Sequence, residues 1–273
     1  MSQPLPPWTE PPPRMPGAPL PGPSTNGASQ HPLPRRPDLD RPVATWRWWE
    51  ALLVYVGALL VSGFAAIPFL QIRPTGTAQM AALSVTGVVE LSLLVLWLRR
   101  FHPGWREVIG IPARARLLPE AWAGVLRGIV LFIVITYPVG IALTFLFRAV
   151  TGDPITAPDQ LPANLDGLGR ALAVLYAVVV APVTEEIFFR GCLFRSLRDR
   201  YGFRIGALAS AFIFGLVHYV PGPFDESLLL MTAMIFTGVG LAYIYERRGN
   251  IVAPIGAHMT FNAIAIVLIF LVD

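Results

Sequence analysis

Six side chains in the C-terminal half of the chain have types and spacings that could do chemistry. Glu185-Glu186-Ile187-Phe188-Phe189-Arg190 sets two carboxylates and a guanidinium in an apolar stretch, Phe214 stands four residues before His218, and His258 stands four before Asn262. On a helix turning about 100° per residue, Glu186 and Arg190 share a face and can pair, whereas Glu185 points about 100° away, which would leave its carboxylate free. His258 and Asn262 likewise project from one helical face. A free carboxylate and imidazoles can move protons, and an imidazole beside a carboxamide can present fixed donors to a developing charge. Each cluster also has a plainer role: a salt-bridged helix end for Glu186 and Arg190, a hydrogen-bonded packing histidine at His218, and for His258 with Asn262 an interhelical pair worth about 1 kcal/mol. Their conjunction, with almost no other polar side chains competing, favours function over packing.

The elements that must position these groups are apolar. The chain of 273 residues is 54% hydrophobic and 14% charged, with mean hydropathy +0.58, where a soluble domain carries about 25% charged residues. From Ala51 onward, stretches near the ~20 residues that a bilayer span needs recur at 51–72, 77–98, 128–147, 171–194, 205–222, 228–245 and 251–272. The pattern predicts an all-α fold, a polytopic transmembrane helical bundle of about seven spans. Ionisable residues within these spans reduce to Glu90, Glu185, Glu186, Arg190, His218 and His258. Each costs at least ~2.5 kcal/mol to insert, so each should face the bundle interior with a partner or a purpose.

Residues 1–44 hold 14 of the 27 prolines and almost no branched apolar residues, which predicts a disordered Pro-rich tail. Residues 45–150 then form N-terminal transmembrane helices, and 151–273 a second set that carries every motif. All 21 basic residues are arginine. They concentrate before the first span, after the second (Arg99, Arg100, Arg106, Arg114, Arg116), after the fourth (Arg195, Arg198, Arg200, Arg204) and after the sixth (Arg247, Arg248). By the positive-inside rule this predicts a multi-pass protein of the cell membrane with its N-terminus cytoplasmic and its C-terminus external. Scattered between apolar runs, the arginines do not form a nucleic-acid footprint, and the lone Cys192 excludes a disulfide framework or a Cys-based zinc site. The expected partners are the lipid bilayer and a peptide or protein substrate, with no nucleic acid.

The ordered set Glu185-Glu186-x-x-x-Arg190, Phe214-x-x-x-His218 and His258-x-x-x-Asn262 resembles the CPBP family of intramembrane proteases, which includes the type II CAAX prenyl endopeptidases. Arg190-Gly191, Gly238, Gly240 and Arg248-Gly249-Asn250-Ile251 ahead of Pro254 fit the same pattern. The resemblance covers residues 171–266 and implies a helical membrane bundle with its active site in a cavity. It implies that Glu185 and His218 activate a hydrolytic water, that His258 and Asn262 stabilise the oxyanion, and that Glu186 and Arg190 support the site. The resulting expectation is an intramembrane endopeptidase without cofactor. The alternatives are zinc held by Glu185, His218 and His258 as a three-ligand catalytic set, a non-catalytic membrane scaffold or chaperone, and a proton-coupled transporter. The geometry imposes one condition. If the fourth helix ended at Arg190, Glu185 and His218 would stand roughly 15 Å or more apart at 1.5 Å per residue. The Glu-bearing helix is therefore predicted to run well past Arg190, to about Arg198.

Overall fold

In the computed structural model, which describes residues 42–72, 75–152, 155–162 and 165–272, all regular structure among the described residues is helical. The expected Pro-rich tail lies outside the described residues except for its last three positions. The helices are α1 (Trp48–Ile72), α2 (Gly76–Phe101), α3 (Trp105–Val108), α4 (Arg114–Leu131), α5 (Tyr137–Thr151), α6 (Gly167–Val174), α7 (Ala181–Glu186), α8 (Arg195–Leu216), α9 (Phe224–Arg248) and α10 (Val252–Val272). Wide π-helical stretches, Phe132–Thr136, Leu175–Val180 and Ile187–Phe194, join α4 to α5 and α6 through α7 to α8 without interruption. The first two stand directly ahead of Pro138 and Pro182. Proline lacks the N–H that the next α-turn would use and crowds the preceding carbonyl, and a loosened turn relieves both.

Six runs are long and apolar enough to cross a membrane: Trp48–Gln71, Gly76–Phe101, Arg114–Val150, Gly167–Leu216, Phe224–Arg248 and Val252–Leu271. The expectation of seven differs at one place, where the fourth and fifth expected spans form a single run of 50 residues. Gly202 interrupts its helical backbone at φ 82, ψ 170, a conformation open essentially to glycine alone. A Cβ on Gly206 would lie 2.9 Å from the backbone nitrogen of Arg198, eight residues away, where a straight helix would hold the two about 12 Å apart. The chain therefore doubles back at Gly202. The polar residues around it read as a connecting loop in the sequence, but helix continues on both sides of the bend. As predicted, the helix bearing Glu185 continues past Arg190 and on beyond Arg198. The returning arm ends at Leu216 rather than near 222, so His218 occupies the turn beyond the helix and not the helix itself. The third run starts at Arg114 instead of near 128, because the amphipathic first turns of α4 bury Glu120.

Two features fix the helices around the site. The first is a core wrapped on the Glu-bearing helix, in which Phe188, Phe189, Cys192 and Leu193 are fully buried among Tyr55 of α1, Leu94 and Leu98 of α2, Phe214 of α8, Met234 of α9 and Phe261 of α10. The second is the close seating of α10 on α4. A Cβ on Gly124 would collide with the carbonyl oxygen of Ala253, one on Gly128 would lie 2.9 Å from the Cα of Ala257, and one on Gly256 would lie 2.8 Å from the carbonyl oxygen of Ala121. Small residues on both helices let the backbones touch, as at many membrane helix interfaces.

Polar ties then set the helix ends. Arg248 grips Glu120 through Nε (2.9 Å) and Nη2 (2.7 Å), Asn250 donates to the same carboxylate at 2.8 Å, and the Asn250 side-chain oxygen accepts the backbone N–H of Ala253 at 3.0 Å. Asn250 thus caps the first turn of α10 while holding it to α4. At the start of the described chain, the Trp46 indole donates to the Cys192 carbonyl (2.9 Å), the Ala44 N–H to Asp199 (2.9 Å), and Arg195 to the Pro42 carbonyl (2.8 Å).

Candidate active site

A cavity of about 570 Å³ opens between α1, α2, the Glu-bearing helix, the turn after α8, and α10. Glu185, His218, His258 and Asn262 all line it. Residues separated by up to 77 positions thus reach one space, because the chain reverses at Gly202 and α10 lies back against the same helix.

Glu186 and Arg190, expected to pair, do so. Arg190 Nη1 donates to Glu186 Oε1 at 2.8 Å, with both side chains almost wholly buried. Arg190 also donates to the Gly238 carbonyl of α9 at 3.2 Å and lies 4.5 Å over the Phe214 ring. His258, 2% exposed, places Nδ1 at 2.9 Å from the same Glu186 oxygen. A carboxylate only accepts, so Nδ1 carries the proton and Nε2 faces the cavity. Glu186 is therefore the hub that orients both Arg190 and His258.

Glu185 takes the separate direction read from its spacing. Its side chain is 21% exposed, its Oε2 has no hydrogen-bond partner, and the nearest cationic candidate, His258 Nε2, stands 3.9 Å away. His218 places Nδ1 at 2.7 Å from the Phe214 carbonyl. A carbonyl also only accepts, so Nδ1 donates and the lone pair of Nε2 is left free. The four-residue spacing from Phe214 is the spacing of this bond.

Asn262 donates from Nδ2 to the Ala177 carbonyl at 2.6 Å, and the reason lies in the sequence. Within the wide turn, Ala181 N–H bonds to Tyr176 O, five residues back. In that register the Ala177 carbonyl would receive the N–H of residue 182, which is proline. Pro182 thus leaves a half-buried carbonyl without a backbone donor, and Asn262 supplies one while keeping its second N–H available. Both His258 and Asn262 tie α10 to the Glu-bearing helix, so the plainer interhelical role holds alongside any chemical one.

Among the described residues, no group of three His, Cys, Asp or Glu side chains stands close enough together to hold a metal ion.

The motifs did not reveal who builds the opposite wall. Tyr55, Leu59, Met80, Leu83, Thr86, Gly87 and Glu90 of α1 and α2 line it, with Gln160 and Leu161 from the segment ahead of α6. Glu90 carried a signal, being an acidic residue inside an expected span, but its place at this cavity depends on tertiary packing. α2 comes close because Gly87 leaves room beside Val180, and Thr184 donates to the Gly87 carbonyl at 3.2 Å.

Residues 167–264 match the family model described as "Type II CAAX prenyl endopeptidase Rce1-like". Over 97 residues the chain is 36% identical to the "Putative membrane peptidase YdiL" of Bacillus subtilis (strain 168), a stretch that covers 36% of this chain and 37% of that protein. The chain thus spans little more than a third of the curated relative it matches. No solved structure matches the chain. These findings bear out the family resemblance over the segment that holds Glu185, His218, His258 and Asn262.

Proposed function

We propose that the chain is a multi-pass membrane peptidase of the type II CAAX prenyl endopeptidase kind, hydrolysing peptide bonds of membrane-associated peptides or proteins without a metal. One observation carries the reading: Glu185, with an unpartnered carboxylate oxygen, lines a single cavity together with His218, His258 and Asn262. A water held between Glu185 and the free Nε2 of His218 gives its proton to the carboxylate as it attacks the scissile carbonyl carbon. The carbonyl oxygen becomes an oxyanion and accepts hydrogen bonds from His258 Nε2–H and from the second N–H of Asn262. Collapse breaks the C–N bond, and Glu185 passes its proton to the leaving amine. In this role His258 carries protons on both ring nitrogens. Glu186, itself held by Arg190, fixes the ring through Nδ1, which gives Glu186 and Arg190 a positioning task. The arginine pattern supports insertion in the cell membrane with the N-terminus cytoplasmic and the C-terminus external.

The test is cleavage of a fluorogenic peptide library by purified protein in detergent. Wild type should cleave, Glu185→Gln and His218→Ala should lose cleavage while remaining folded, and Asn262→Ala should lose about 10²- to 10³-fold in kcat. Full cleavage by Glu185→Gln would overturn the mechanism, and no cleavage of any peptide would favour a non-catalytic scaffold. Chelator treatment should leave the rate unchanged; loss that added zinc restores would overturn the metal-free reading.

A further inference from the structure

Glu90 lies outside every motif and outside the matched segment, yet its carboxylate lines the cavity that holds Glu185. It is 8% exposed. Three other carboxylates that are largely buried in these helices have arginine partners: Glu186 meets Arg190 at 2.8 Å, Glu120 meets Arg248 at 2.7 Å, and Glu246 meets Arg198 at 2.8 Å. Among the described residues Glu90 has none within ion-pair reach. Its partner is the hydroxyl of Ser62, at 3.1 Å, and that hydroxyl also stands 3.0 Å from the Leu59 carbonyl. Ser62 has one proton for two acceptors, so Glu90 keeps most of its hydrogen-bonding capacity for something else. A carboxylate kept in an apolar bundle without a counter-ion calls for a purpose.

The cavity indicates which purpose. Its lining contains two carboxylates and two imidazoles but no arginine, and the chain has no lysine. Among the residues of α1 and α2 that share the wall, Leu59, Met80 and Leu83 are apolar and suit the methylene stem of a long basic side chain whose charged head seeks an acceptor. We infer that Glu90 is a specificity-determining residue that receives the guanidinium or ammonium group of a basic substrate side chain near the scissile bond. This rests on the peptidase reading above. It divides the site into a catalytic wall from the matched segment and a selecting wall from α1 and α2.

Peptides acetylated and amidated at their ends, carrying at each position in turn either arginine or its neutral isostere citrulline, isolate the charge. In wild type, arginine at one position should raise kcat/KM at least about tenfold over citrulline, the lower end of a charged hydrogen bond's contribution. In Glu90→Gln that ratio should fall to near one; Glu90→Leu repeats the measurement should the glutamine variant not fold. No preference in wild type, or a preference that survives both substitutions, would overturn the inference. Cleavage by Glu185→Gln would defeat the catalytic reading and leave this one standing. If wild type cleaves nothing, fluorescence anisotropy of the same labelled peptides decides: tighter arginine-peptide binding that disappears in the Glu90 variants supports the inference, and equal binding of both peptides overturns it.

Discussion

Glu186 shows how much one side chain can be asked to do at the residue scale. Its Oε1 takes both the Arg190 guanidinium and the His258 imidazole, while its Oε2 is buried without a partner. Removing one member of a buried ion pair strands the other charge, which costs about 3–5 kcal/mol. Glu186→Gln and Arg190→Met should each lower thermal stability in detergent, and the double variant should lose clearly less than the sum of the two. Additive losses would show that the pair does not act as a unit. This pairing and the separate direction of Glu185 were legible in the sequence, because a four-residue spacing on a helix fixes which faces coincide. The contact from Glu186 to His258 was not. It spans 72 positions, and no local periodicity encodes which turn of α10 will face which turn of another helix.

The decisive elements are those whose backbones approach or turn unusually. Gly128 seats α4 against Ala257, the residue directly before His258. Gly128→Leu should separate α4 from α10 and reduce both melting temperature and peptide cleavage, whereas leucine at Gly57, where a Cβ meets nothing within 4 Å, should be tolerated. The sequence contains Gly124-x-x-x-Gly128, but nothing in it names the partner helix. Gly202→Ala should cost about 1–3 kcal/mol, the usual penalty for a non-glycine residue in such a backbone conformation, read as an earlier thermal transition. A bend of one glycine inside a polar, arginine-rich stretch looks like an ordinary loop to any hydropathy reading. For the same reason, seven apolar stretches correspond to six continuous runs.

At the scale of the whole molecule, the arginine bias makes orientation testable. Single cysteines placed near residue 44 and in the 221–227 connection should react with a membrane-impermeant thiol reagent from opposite sides of the membrane; labelling from the same side would refute the proposed topology. The native thiol does not interfere, since Cys192 is fully buried. The apolar character of the spans was legible because a bilayer demands it of any sequence, whereas their division into continuous runs was not. Nor was the shared cavity, since α1 and α2 bring no motif to it. The ties of Pro42, Ala44 and Trp46 to Arg195, Asp199 and Cys192 determine where this protein can be shortened. All three anchoring bonds begin at or after position 42, so a version starting at Pro42 keeps them and should purify, melt and cleave like the full chain. A version starting at Arg47 uncovers the carbonyl of Cys192 and leaves Arg195 without its Pro42 acceptor. The practical boundary of the folded helical unit therefore falls within a few residues, just ahead of the first membrane helix.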